Sequence, residues 1–132
     1  MEVIMKEAKQ FRKGDFIMID DVPCRVVDIS LSKPGKHGSA KARIVAVGII
    51  DGKKREISKP GDSKIPAPII DKRDGQVITV SDDQAQIMDL ETYEVFDALV
   101  NEELKGKLTE GVNVEYWVIA GTVKMIMRVK GE

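Results

Sequence analysis

One histidine, one cysteine and six aromatic residues (three Phe, two Tyr, one Trp) are spread over 132 positions. Each scarcity removes a class of function. A structural zinc site needs four Cys or His ligands, and Cys24 and His37 are the whole supply. With a single cysteine no intramolecular disulfide can form, which suits a reducing cytoplasm. No apolar run approaches the length that crosses a bilayer. The start, Met1-Glu2-Val3-Ile4-Met5-Lys6, lacks the basic region and long apolar core of a secretory signal. Neither common glycine-rich phosphate loop is present. The carboxylate pairs Asp20-Asp21, Asp82-Asp83 and Glu102-Glu103 fall at predicted turns or a helix surface and read as solvated. Cys24 sits in an apolar strand and reads as a small core residue rather than a nucleophile. Little remains from which to build an enzyme, a metal site or a membrane protein.

Charge is present and unevenly placed. Hydrophobic residues make up 42% and charged residues 33%, the balance of a globular chain. Residues 1–70 carry 14 Lys+Arg against 9 Asp+Glu, a net of +5. Residues 71–132 carry 7 against 13, a net of −6, and the two return the overall −1. That asymmetry predicts two units, 1–70 and 71–132, with the basic one facing an anionic partner.

The pattern is β throughout. Phe16–Ile19, Cys24–Leu31, Ala42–Ile50 and Lys53–Ser58 read as strands, with a tight hairpin turn at Asp51-Gly52. Short strands with turn chemistry about every ten residues predict a small barrel. Ile65-Pro66-Ala67-Pro68 reads as an extended segment poor at central pairing, and the charged run Asp71–Gly75 marks the boundary. Beyond it, Gln76–Val80, Ala85–Leu90 and Tyr93–Phe96 read as strands and Ala98–Leu104 as a short helix. Two alternating strands follow, with Val112, Val114, Tyr116 and Val118 on one face of the first and Val123, Met125, Met127 and Val129 on one face of the second. Three strands, a helix and two strands is the order of an OB-fold.

One segment carries chemistry: Lys33-Pro34-Gly35-Lys36-His37-Gly38-Ser39-Ala40-Lys41. It joins two apolar strands and so predicts a hairpin loop, with Gly35 and Gly38 free to take positive φ on either side of Lys36-His37. Lys33, Lys41 and Arg43 surround Lys36, and no acid stands between Asp28 and Asp51. A basic tip of this kind suits phosphate contact, since lysine offers a mobile point charge. The same composition also suits an ordinary solvated turn.

The segment Pro34–Lys41 resembles the hypusine loop of the translation initiation factor 5A family in its archaeal form, and the resemblance extends over the whole chain. Pro34 and Ser39 stand where eukaryotic members usually carry Thr and His. The resemblance implies an all-β chain, an SH3-like barrel followed by an OB-fold barrel with a short helix. It implies that Lys36 is extended by an aminobutyl group from spermidine through deoxyhypusine synthase, to deoxyhypusine or hypusine. It implies a ribosome-binding factor, similar to bacterial elongation factor P, that sits beside peptidyl-tRNA and promotes peptide bond formation at poor sequences and at termination. Lys33, Gly35, His37, Gly38, Lys41 and Arg43 would form the loop around Lys36 that meets ribosomal RNA and tRNA. No bound cofactor, metal or membrane is implied.

Two other readings compete. A general RNA-binding module without lysine modification fits the basic first half, although the second half is acidic and has only Tyr93, Phe96, Tyr116 and Trp117 for base stacking. An enzyme forming a Schiff base on Lys36 needs a desolvated lysine, and a glycine-flanked loop is the opposite environment.

Overall fold

The computed structural model describes residues 2–33 and 40–131. The chain is all-β and divides into two compact units, Glu2–Ile69 and Ile70 onward.

The first unit is the SH3-like barrel. Its strands are β1 (Val3–Glu7), β2 (Phe16–Ile19), β3 (Val22–Ser32), β4 (Lys41–Gly48), β5 (Lys54–Pro60) and β6 (Lys64–Pro68). β2–β3–β4–β5 form one antiparallel sheet, and β1 pairs with β6 in a two-stranded ribbon. The core between them holds Phe11, Ile17, Cys24, Val26, Ile44 and Ile65. Alternation explains β4, where Ala42, Ile44 and Ala46 point inward and are fully buried. β3 changes parity once. A bulge between Val26 and Asp28 lets Cys24 and Val26 face the core before it and Ile29 after it. Cys24 is buried, and burial pushes its thiol pKa up.

Several expectations are refined here. β1, not anticipated from the sequence, lies against β6, so Pro66 and Pro68 sit in a two-stranded ribbon rather than in a central strand. β4 stops at Gly48 and not Ile50. The predicted tight turn at Asp51-Gly52 is a longer loop, closed by the Gly48 N–H donating to the Lys53 carbonyl (2.9 Å). Gly52 takes φ +67° there, and Arg55 holds the Asp51 carboxyl down to about 2.

The second unit is a closed five-stranded barrel of β7 (Ile70–Val80), β8 (Gln84–Asp89), β9 (Val95–Val100), β10 (Asn113–Ile119) and β11 (Val123–Val129). β7–β8–β9 is an antiparallel meander; β11 pairs parallel to β9 and antiparallel to β10, and β10 closes on β7. This is the OB connectivity.

The charged run Asp71–Gly75, placed at the boundary from sequence, forms the first half of β7 and pairs with β10. The helix expected over Ala98–Leu104 is instead the end of β9 followed by a single 3-10 turn at Glu102–Leu104. Ala98 and Val100 are buried inside the barrel, so sheet closure overrides helix propensity. β11 also departs from strict alternation. Val129 pairs with Val114 but Ile126 pairs with Tyr116, one residue out of phase. Ile126 is therefore fully buried, while Met125 and Met127 stay partly exposed.

Asp89 is the buried acid of this barrel, 1% exposed. Arg73 donates to it through Nε (2.7 Å) and Nη2 (3.3 Å). The Tyr116 hydroxyl and the backbone N–H groups of Glu91 and Thr92 donate as well. Gly75 leaves the space, since a Cβ there would lie 3.2 Å from the Tyr116 ring. The Arg73 guanidinium holds the Asp89 carboxyl far below the usual carboxylate range, with burial opposing. A depressed carboxyl stabilises the fold above the unfolded pKa of about 4 and loses that contribution as pH falls further.

Two outcomes follow for stability. Arg73→Ala leaves Asp89 buried without its cation and lowers unfolding free energy by about 3–5 kcal/mol. Asp89→Asn is less stable than wild type at neutral pH, and denaturant unfolding shows the gap narrowing as pH drops from about 5 toward 2. Parallel stability curves for the two proteins over that range would contradict the assignment.

Candidate nucleic-acid interface

The described strands form the stem of the predicted loop. β3 and β4 pair through Ser30–Arg43, Leu31–Ala42 and Ser32–Lys41, and β5 extends the sheet through Arg43–Ser58, Ala42–Lys59 and Lys41–Pro60. Gly35, Lys36, His37 and Gly38 lie outside the described residues; Lys33, Lys41 and Arg43 lie within them.

Lys33 and Lys41 stand at the loop end of the stem, one on each strand's side, exposed, with no ion pair to another described residue. Both are available to an anion. Arg43 differs. Its Nε and Nη2 grip the Glu56 carboxylate at 2.5 and 3.0 Å. The bidentate contact raises the Arg43 pKa and lowers that of Glu56. Along the chain no acid approaches Arg43 closer than Asp51, but β5 brings Glu56 across from Val45, next to it. Linear spacing could not show this, because the partner arrives from the neighbouring strand. Arg43 is therefore a half-engaged cation, and the two lysines are the free ones.

The end of the loop is fixed by backbone. Gly61 N–H donates to the Ala40 carbonyl (2.7 Å), and the Gly61 carbonyl accepts from Lys9 N–H (2.9 Å). Lys9 belongs to the 3-10 turn Ala8–Gln10, closed at its start by reciprocal Glu7 and Gln10 side-chain contacts. A Cβ on Gly61 would stand 3.2 Å from the Ala40 oxygen and 3.4 Å from Lys9 Cβ. The sequence offers Gly61 only as a turn residue; its part in anchoring Ala40 becomes visible through the fold.

Among the described residues no group of three or more His, Cys, Asp or Glu is placed to hold a metal. No described helix is long and apolar enough to cross a membrane. What the stem offers is exposed positive charge on paired strands, which suits electrostatic docking to phosphates.

Comparison with known proteins agrees in both units. Residues 2–63 match the family described as translation initiation factor 5A-like, N-terminal. Residues 69–130 match the family described as eukaryotic elongation factor 5A hypusine, DNA-binding OB fold. The chain is 57% identical to translation initiation factor 5A of Pyrococcus furiosus, over 96% of this chain and 94% of that protein. It is 49% identical to that of Methanopyrus kandleri, over 96% of each. The solved structure of eukaryotic translation initiation factor 5A from Methanococcus jannaschii superimposes with a TM-score of 0.86 at 45% identity, covering 96% of this chain and 94% of that one. A translation initiation factor 5A family protein from Naegleria fowleri superimposes at 0.70 and 28% identity, covering 98% of this chain and 99% of that one.

Gly61→Val tests the anchoring of Ala40. Overpacking against a backbone oxygen is expected to lower stability by about 1–3 kcal/mol and to shift the amide resonances of Ala40 and Lys41. Wild-type stability and unshifted resonances would show that the space is open.

Proposed function

Since the chain belongs to the translation initiation factor 5A family, we propose that it acts in the cytoplasm on the ribosome, beside peptidyl-tRNA, and promotes peptide bond formation through a deoxyhypusine or hypusine side chain at Lys36. Stalled elongation, as at consecutive prolines, and termination are the steps it serves. The observation that carries this reading is the hairpin stem at Ser32–Lys41 with Lys33 and Lys41 exposed on either side. It lies in the half of the chain whose net charge is +5.

The chemistry follows from length and charge. A bare lysine reaches only a short way from its backbone. Deoxyhypusine synthase extends it by an aminobutyl group from spermidine, adding a second amine and lengthening the arm. Lys33 and Lys41 seat the stem against phosphates, with Arg43 in reserve behind Glu56. The arm then delivers charge into an RNA-lined channel and orders the acceptor end of the tRNA. Ordering a reactant lowers the entropic part of a barrier without any acid, base or nucleophile from the factor. Catalysis stays with the ribosome, and this protein needs no bound cofactor or metal. In this reading Gly35, His37 and Gly38 belong to the segment around Lys36 that meets RNA and tRNA.

The acidic second unit fits a supporting role rather than RNA capture. Its free aromatics are few. Phe96 lies beside Tyr116 with ring centroids 5.4 Å apart, and Tyr116 is engaged with Asp89. Lys72 lies over the Trp117 ring at 4.7 Å. These contacts occupy three of the four rings and leave the exposed Tyr93, which by itself is a small platform for base stacking.

Lys36→Arg separates the modified arm from simple charge. The variant keeps a cation and is expected to change stability by less than about 0.5 kcal/mol, yet the synthase has no lysine amine to extend. In a reconstituted translation reaction reporting stalled peptidyl-tRNA at a proline run, modified wild type relieves the stall. Unmodified protein and Lys36→Arg do not. Full rescue by Lys36→Arg would instead favour a general RNA-binding module without modification.

A further inference from the structure

Two of the cations named so far lie on one face of the stem. Lys41 and Arg43 share a face with Ser32, Ser30 and Ser58, their partners across the ladder. The opposite face runs through Ala42, which is fully buried and pairs with Leu31 on one side and Lys59 on the other. Lys59 is thus the point where the core-facing row of β5 emerges at the rim, two residues beyond Ile57, which packs on the core.

There it borders a shallow cleft lined by β2, β5 and β6. Ile19, Ile57 and Ile65 give it an aliphatic lining, and the exposed Lys59 and Lys64 border it. Both lysines are exposed and neither has an ion pair with another described residue. Asp20 is the acid that borders the cleft, leaving it net positive by one. A cleft with an aliphatic lining and two exposed lysines at its border accepts a nucleic-acid strand, phosphates on the ammonium groups and sugar or base against the apolar lining.

We propose that this cleft is a second RNA-backbone contact, with Lys59 and Lys64 as its phosphate ligands, separate from the stem face that carries Lys41 and Arg43. The inference rests on the function proposed above and deepens it. Positive charge on the stem alone suits contact with one RNA segment, and a second basic site on β5 and β6 suits contact with two.

The experiment measures binding of the modified full-length protein to archaeal ribosomes stalled at a proline run, across a salt series. Four proteins are compared: wild type, Lys59→Gln/Lys64→Gln, Lys59→Arg/Lys64→Arg, and Lys53→Gln/Lys54→Gln. The last removes the same charge at the far end of the β4–β5 hairpin. Each phosphate contact contributes about 0.7–0.9 to the slope of log affinity on log salt. The cleft variant is expected to lose about 1.5 from that slope, with Lys36 fully modified and thermal unfolding unchanged. The arginine pair and the Lys53/Lys54 control should keep the wild-type slope. An unchanged slope in the cleft variant overturns the proposal and leaves the function standing. An equal loss in the control also overturns it, since net charge alone would then explain the effect. Absence of wild-type binding would remove the function on which the proposal rests.

Discussion

Everything at the functional end depends on the register between β3 and β4. The pairing of Ser32 with Lys41 decides which residues belong to the stem and which to the loop. It also decides which cations share a face. Side-chain period in a strand is two, so a slip of one residue exchanges faces. Lys41 and Arg43 would then turn inward, and Ala42 and Ile44 would leave the core. Three buried residues, Ala42, Ile44 and Ala46, hold β4 in phase, and the bulge between Val26 and Asp28 lets β3 follow.

The second unit solves a different problem, closure of a small barrel around a buried charge. Asp89 is satisfied by five donor groups from Arg73, Tyr116, Glu91 and Thr92. Removing one partner from such a set is costly because the rest is stranded away from water. Arg73 and Tyr116 face each other across β7 and β10, and Asp89 ends β8 beside Gly75. The polar network therefore ties three strands at one point and helps to fix their register.

The strands were legible where alternation was strong and local. The two closing strands emerge from period-two spacing, and Phe16–Ile19, buried along its whole length, from a short apolar run after the Lys13-Gly14-Asp15 turn. Misreadings came where tertiary pairing outweighed local preference. Ala98–Leu104 has helix-forming residues, yet Ala98 and Val100 complete the barrel wall. On β11 the sequence suggested Val123, Met125, Met127 and Val129 as one inward face, but the register shift against β10 moves Ile126 inside. A bulge leaves no mark in a period-two pattern. At the interface, Lys33, Lys41 and Arg43 could be picked out by charge, whereas the Glu56 grip on Arg43, the Gly61 hold on Ala40 and the place of Lys59 and Lys64 depend on neighbouring strands.

The account centres on one side chain. A basic hairpin explains docking, but the proposed action on peptide bond formation needs Lys36 to be longer than lysine. The most direct measurement is intact-mass and peptide mass spectrometry of the protein purified from its native host. The account predicts a single aminobutyl extension, with or without one hydroxyl, confined to the peptide containing Lys36. A chain carrying unmodified lysine at that position throughout would contradict it.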